Sequence, residues 1–397
     1  MFPVPTSYAK ASRPRRLRFG RRSVRILFVS SSYSPVLGGL QTTTHDLAQH
    51  LQKNGHEIEV IANRYPRSLP AREVMANVSV TRWHFIDPRL QYLRNGRLDL
   101  FLAGLFYFPL TLCRLIARIR RTNPDVVNLH FVRAPTLFVL IAHCLRPFRL
   151  VVSFHGDDVE GFSQRTAFDK WVCKAILRRA DAVTTCSRYL LDQLETVAPT
   201  VKSKARAVHY GLNTASAEEL VNTSQPSVLV SAGRMVPKKG LDVLLRAVAL
   251  MHDQLHLTLM GDGPESDTLK SLAKEIGIDN RVTFQPTQSR SQVLAAMAAS
   301  KVVIIPSRLE PFGMVALEAM SQGKPIVASK VGGLPEFLEG ADAVLVAHDD
   351  PLLLANAIEE VIGRLADNPD FGARNRVLAE EFTVERMMNG YLDAYCA

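Results

Sequence analysis

The chain is predicted to be an α/β protein made of two Rossmann-like, doubly wound parallel-sheet domains that face each other across a cleft. Three observations predict it. Short β-rich runs alternate with helical periodicity from Val24 onward, the pattern of parallel strands joined by crossover helices. The alternation comes in two series, broken at His209–Pro226, where Gly211, Asn213 and the run Asn222-Thr-Ser-Gln-Pro226 interrupt both periods. The length of 397 residues suits two or three domains of about 150 residues each.

Residues 1–23 are read as a basic, disordered arm. Residues 1–25 hold Lys10, seven arginines and no acid, and these eight charges account for all but two of the net +10. Leu17 and Phe19 sit between arginines, so the arm suits an anionic membrane surface; nucleic acid is not expected as a partner. No apolar core follows the arginines, so neither a secretory nor a twin-arginine signal is expected. The odd count of five cysteines without a C-x-x-C pair predicts reduced core thiols and a cytoplasmic location. A hydrophobic share of 47% with 22% charged residues excludes disordered, collagen-like and disulfide-scaffold classes.

Residues 24–208 form the first domain. Its strands are read at Arg25–Ser30, Glu57–Ala62, Val78–His84, Val126–His130, Arg149–Phe154 and Ala182–Thr185, with helices at Thr42–Asn54 and Pro135–Leu145. The apolar stretch Leu98–Ile119 contains Asp99, Pro109 and Arg114 and is too broken to span a bilayer. It reads first as a buried helix covering a parallel sheet, and second as an amphipathic helix at a membrane surface. Residues 209–226 are the linker. The second domain, 227–380, places strands at Ser227–Gly233, His256–Met260, Arg281–Phe284, Lys301–Ile305, Pro325–Ala328 and Ala343–Val346. In the last segment, 381–397, Thr383 precedes a stripe of Val384, Met387, Met388, Tyr391, Leu392 and Tyr395, which makes a helix with one apolar face.

The richest chemistry lies in Glu310-Pro-Phe-Gly-Met-Val-Ala-Leu-Glu318, two carboxylates eight residues apart around a turn that opens a helix. Fully helical spacing would part their Cα atoms by roughly 12 Å, beyond the roughly 5–9.5 Å of a glycosidase carboxyl pair. A hydrolytic pair is therefore disfavoured. Pro311 holds Glu310 extended and Gly313 loosens the turn, while Glu318 rides about a turn into the helix. The helix N-terminus between them suits a phosphate. Two solvated helix glutamates would give the same spacing. After the first strand of the second domain, Gly233-Arg234-Met-Val-Pro-Lys238-Lys239-Gly240 brings Arg234 and Lys239 to the sheet edge, where a guanidinium fork and an ammonium neutralise a diphosphate. Gly261-Asp262-Gly263-Pro264 is a second strand-to-helix turn, and Gly38-Gly39 is a third, at the first strand of the chain. Neither G-x-G-x-x-G nor G-x-x-x-x-G-K-[ST] occurs, which removes dehydrogenase and P-loop readings. His155-Gly156-Asp157-Asp158 ends a first-domain strand and is read as facing the cleft, with His155 as a substrate contact; the adjacent acids lack a D-x-D spacing, and no catalytic metal is expected.

Assembled, these residues make the chain resemble the retaining glycosyltransferases of family four, which have the GT-B fold. The resemblance runs from about Val24 to Tyr395 and is carried by Gly233-Arg234 with Lys239-Gly240, Gly261-Asp262-Gly263-Pro264, Glu310 through Glu318, and Val331-Gly332-Gly333-Leu-Pro-Glu336. It implies a metal-independent, hexosyl-type transferase that moves a sugar, with retention, from a UDP-, GDP- or ADP-sugar to a hydroxyl acceptor, lipid-linked or otherwise, in glycan or glycolipid synthesis. The nucleotide sugar is a co-substrate, and no other cofactor is implied. The resemblance places the donor in the second domain against Gly233, Arg234, Lys239, Gly261, Glu310, Phe312, Gly313, Met314, Val315 and Glu318. Arg234 and Lys239 take the diphosphate, Glu318 the ribose hydroxyls and Glu310 the sugar hydroxyls. From the acceptor-side first domain, Gly39 nears the phosphates and His155 the transferred sugar. Glu310, His155, Arg234 and Lys239 form the implied catalytic set, and the final helix crosses back onto the first domain. The chain departs from the family pattern at Tyr210-Gly-Leu-Asn213, where Asn-Gly-Val-Asp is common, and near Pro286, where a glycine is common. The expected location is cytoplasmic, peripheral on the inner face of the membrane. Competing readings are a nucleotide-sugar epimerase or hydrolase on this scaffold, and a non-catalytic partner subunit that binds a membrane through the arginine arm.

Overall fold

A computed structural model describes residues 23–35, 38–213, 228–251 and 255–397; the arm before residue 23 and the linker residues 214–226 lie outside the described residues. The first sheet contains β1 (Arg25–Ser30), β2 (Glu57–Asn63), β3 (Arg72–Met75), β4 (Val78–Trp83), β5 (Val126–His130), β6 (Leu150–Phe154), β7 (Ala182–Thr185) and β8 (Ala205–Ala207). Its order is β3-β4-β2-β1-β5-β6-β7-β8, parallel except for the antiparallel pair β3 and β4. The second sheet contains β9 (Leu229–Ala232), β10 (Leu257–Met260), β11 (Val282–Gln285), β12 (Val302–Ile305), β13 (Ile326–Ser329) and β14 (Ala343–Val346), all parallel in the order β11-β10-β9-β12-β13-β14. Strands buried on both faces read as continuous apolar runs, as in Val302-Val-Ile-Ile305, where every residue is buried.

The first domain carries two strands beyond the six expected. β3 is a charged sheet edge with only half-buried or exposed residues, and β8 is three residues long, so neither leaves a hydrophobic run to read. In each sheet the strand order reverses beside a central strand, β1 between β2 and β5, and β9 between β10 and β12. Loops leaving the carboxyl ends of such strands diverge and leave a crevice. The loops after β1, β9 and β12 carry Gly38-Gly39, Gly233–Gly240 and Glu310–Gly313.

The helix Leu98–Thr122 corrects the expectation of a buried sheet cover. It buries Gly104, Thr111, Leu115 and Ile119, while Leu98, Leu102, Leu105 and Phe106 are more than half exposed. The reason is length: 25 helical residues span roughly 37 Å, and five or six strand residues roughly 20 Å, so the helix overshoots the sheet it flanks. The thiols also depart from a uniform core placement, since Cys113 and Cys144 are exposed while Cys173 and Cys186 are buried.

Two chain crossings join the domains, and they lie side by side. Leu212 N–H donates to the Phe382 carbonyl at 2.8 Å, and Val384 N–H donates to the Leu212 carbonyl at 3.3 Å. Around them His209, Tyr210, Phe312, Phe337 and Phe382 pack ring against ring at tilted and edge-on angles. After the second crossing, Thr383 caps the helix Val384–Cys396 by accepting from Arg386 N–H. That helix packs against the helix Gly39–Lys53 and β7 of the first domain, where Asn128 Nδ2 donates to Tyr395 Oη at 2.8 Å.

Candidate active site

The crevice between the sheets holds a cavity of about 390 Å³. Gly38, Gly39 and Thr42 line it from the first domain, and Gly233, Arg234, Gly261, Asp262, Arg290, Met314, Val315 and Glu318 line it from the second. Arg234 is exposed at its mouth and has no carboxylate partner among the described residues. Its neighbour Lys239 comes from a single 3₁₀ turn, Pro237–Lys239, closed by left-handed Gly240. The Lys239 ammonium pairs with Glu310, whose Oε2 also accepts from Ser307 Oγ at 3.3 Å.

Glu310 is 8% exposed and sits on the loop before the helix Met314–Ser321, while Glu318 lies a turn inside it. Glycines hold that loop. Gly333 N–H donates to the Glu310 carbonyl at 2.9 Å, and a Cβ on Gly332, which has φ +60, would run into the same carbonyl. The helix starts after the Gly313 N-cap, and its first two residues, Met314 and Val315, line the crevice.

Glu318 Oε1 accepts from Arg290 Nε at 3.0 Å, and Arg290 Nη1 reaches Asp46 Oδ2 at 3.4 Å. One guanidinium thus joins a carboxylate from each domain under the cavity. Burial pushes both carboxyls above their ordinary values, and the Arg290 charge opposes it in each case. Sequence reasoning missed both Arg290 and Asp46. The available signal was the capping box formed by Ser289 and Gln292, which fixes Arg290 at the first position of its helix.

Five expected contacts, Lys239, Glu310, Phe312, Gly313 and His155, sit apart from the cavity lining. The Phe312 ring turns into the aromatic group around the domain crossing, leaving its backbone beside the loop. His155 is 2% exposed and has both ring nitrogens engaged, Nδ1 with Tyr210 Oη at 2.6 Å and Nε2 with His130 Nδ1 at 2.9 Å. Burial lowers its pKa to about 3, so the ring is neutral. Asp158 Oδ1 accepts from the backbone N–H of His155 and of Gly156, and burial raises that carboxyl to about 6.

Residues 37–216 match the family model Glycosyltransferase Family 4, and residues 214–374 match Glycosyl transferases group 1. The chain belongs to glycosyltransferase family four. Its activity is glycosyl transfer in glycan synthesis. This glycosyltransferase is 26% identical over 382 residues to an uncharacterized glycosyltransferase of Methanocaldococcus jannaschii, covering 89% of the chain and 92% of that protein. It is 28% identical over 400 residues to the D-inositol 3-phosphate glycosyltransferase of Streptomyces scabiei, covering 90% and 87%. Among solved structures, the sucrose-phosphate synthase of Thermosynechococcus elongatus superposes with a TM-score of 0.78 at 22% identity, over 93% of this chain and 98% of that one. Anabaena HepE in complex with UDP-glucose superposes with a TM-score of 0.73 at 21% identity, over 93% and 98%. The fold of the glycosyltransferase is GT-B.

Proposed function

We propose that this glycosyltransferase moves a hexosyl-type group from a nucleoside-diphosphate sugar to a hydroxyl acceptor, with retention of anomeric configuration and without a metal. The observation that carries the reading is the placement of Arg234 and Glu318 on the lining of one crevice, with Lys239 and Glu310 paired on the second-domain loops that follow β9 and β12. Arg234 and Lys239 supply the two cations that a diphosphate needs, with the Met314 helix N-terminus adding N–H donors. Glu318 accepts from ribose hydroxyls. Glu310, bound by Lys239 and Ser307, is placed to accept from sugar hydroxyls as the lysine turns to the diphosphate. The acceptor oxygen attacks the face from which the diphosphate leaves; its proton passes to the departing phosphate oxygen, and the positive loop stabilises the charge that grows there. His155, neutral and held by Tyr210 and His130, contributes shape and a fixed dipole beside the transferred sugar rather than a charge.

The HepE complex with UDP-glucose makes UDP-sugars the first donors to test, ahead of GDP- and ADP-sugars. The arginine arm and the exposed apolar helix support the reading of a lipid-linked acceptor and a membrane-peripheral location, and the unpaired cysteine count supports the cytoplasm. The test is nucleoside diphosphate release from UDP-, GDP- and ADP-sugars, with and without a lipid and oligosaccharide extract, in the presence and absence of a chelator. One donor with the extract is expected to give release that Glu310→Gln lowers by about 10²–10³-fold. The product anomer, read by NMR, is expected to match the donor. Donor consumption without acceptor, or an inverted product, would overturn the reading.

A further inference from the structure

Contrary to the expectation of a stretch too broken to span a bilayer, Leu98–Thr122 is one helix running through Pro109, long and apolar enough to cross by length and composition, yet its stripe of Gly104, Thr111, Leu115 and Ile119 is fastened to the first domain. Its outer face is uncovered. Leu98, Leu102, Leu105 and Phe106 are 56%, 54%, 51% and 65% exposed, and their spacing of three and four residues sets them on one face. Farther along and round the helix from this stripe, Arg114, Arg118 and Arg121 join Arg72, Arg82 and Trp83, among others, in lining a pocket of about 360 Å³. This pocket shares no lining residue with the crevice between the domains.

The pocket is electropositive after its ion pairs are counted. Arg82 pairs with Glu73 and Arg118 with Glu59, whereas Arg72, Arg114 and Arg121 have no carboxylate partner among the described residues. Nearby His84 is held below its ordinary value by burial and then by Arg64, Arg67 and Arg114, with no acid opposing them. An apolar stripe alone would fit many partners; joined to an arginine pocket, it matches the sequence of a lipid surface from acyl boundary to phosphate.

We infer that this outer face of the first domain docks on an anionic phospholipid surface, the leucine stripe entering the acyl boundary and the arginine pocket taking a phosphodiester head group. The inference deepens the peripheral location proposed above. Its test contains neither sugar donor nor acceptor, so its failure leaves the transfer reading standing, and the converse holds.

The full chain, with the arginine arm intact in every variant, is sedimented with vesicles of phosphatidylcholine alone and of phosphatidylcholine mixed with phosphatidylglycerol, at low and high salt. Binding is expected only to the mixed vesicles and to weaken with salt. The double variant Arg114→Gln with Arg121→Gln is expected to lower partitioning by roughly 25-fold, at about 1 kcal/mol per arginine. Leu102→Glu with Phe106→Glu is expected to abolish it. All four side chains are exposed, so unfolding temperatures should match the parent; if the charged pair unfolds early, the single change Leu105→Ser reads the same stripe. Glycerol 3-phosphate in solution is expected not to release bound protein. Release by that small phosphate would make the pocket a soluble-anion site and overturn the inference. Unchanged vesicle binding in both double variants would also overturn it, leaving the arm as the sole contact. So would stripe variants that alter only self-association, measured by light scattering, because the stripe would then be a protein interface.

Discussion

At the scale of single residues, the pairing of Lys239 with Glu310 sets the resting charge of the site. In the proposed reaction, each group blocks the other until a diphosphate draws the lysine away. Lys239→Met is therefore expected to raise the donor KM and lower kcat together, whereas Glu310→Gln lowers kcat with the donor KM changed only a few-fold; steady-state kinetics separate the two. Asp158 carries a different signature. Its folded pKa, near 6, lies above the ordinary carboxyl value, so the folded chain holds this proton more tightly than the unfolded chain does. The resulting stabilisation is complete below about pH 4 and is lost as pH rises through about 6. Asp158→Asn keeps an oxygen for the His155 and Gly156 N–H groups but cannot ionise. Relative to the parent, it is expected to gain about 3 kcal/mol between those pH values, read from urea unfolding at fixed pH steps. A constant difference across that range would show that Asp158 does not ionise on its own inside the fold.

At the scale of elements, the loop that carries Glu310, the proposed sugar contact, has its backbone tied at two points. Gly333 N–H holds the Glu310 carbonyl from within the second domain, and Ser187 Oγ donates to the Pro311 carbonyl at 2.6 Å from the first. Gly332→Ala would force a left-handed alanine against the Glu310 carbonyl. The strain of about 1 kcal/mol or more is expected to lower the unfolding temperature by about 2 °C or more and kcat by about tenfold or more, since a displacement of about 1 Å is costly at a reacting centre. Much at this scale was legible in the sequence. The paired carboxylates, the Gly313 turn and the strand-end glycines are local patterns, and twelve of the strands are apolar runs long enough to read. What was hidden had no local trace. β3 is a charged edge, Asp46 and Arg290 are 244 residues apart in sequence, and periodicity shows that Leu98–Thr122 has faces without showing what covers them. The partners of His155 were equally out of reach, because Tyr210 and His130 arrive from different strand ends.

At the scale of the whole molecule, the domains are held together at sites on either side of the crossing strands. Arg290 ties Asp46 to Glu318 beneath the cavity. On the other flank, Glu336 accepts from the N–H groups of Arg188 and Tyr189 at 2.9 and 2.7 Å and from His209 at 2.9 Å. Burial works against the Glu336 charge, but His209 and the two N–H groups outweigh it and keep the carboxyl below its ordinary range. Asp46→Ala combined with Glu336→Gln is expected to open the cleft, seen as a larger radius of gyration in solution scattering that added donor and acceptor reduce. Unchanged scattering would place the closing force in the aromatic group at the crossing instead. The helix Val384–Cys396 gives the molecule one further property. It fills the first domain, through Tyr391, Tyr395 and the Asn128 hydrogen bond, although it is encoded after the whole of the second. On the ribosome, the first domain therefore emerges lacking part of its own interior and must wait, exposed to chaperones and proteases, until residues 384–396 clear the exit tunnel. A message cut short anywhere in the second domain would yield a first domain with an unfilled interior rather than a stable half-enzyme.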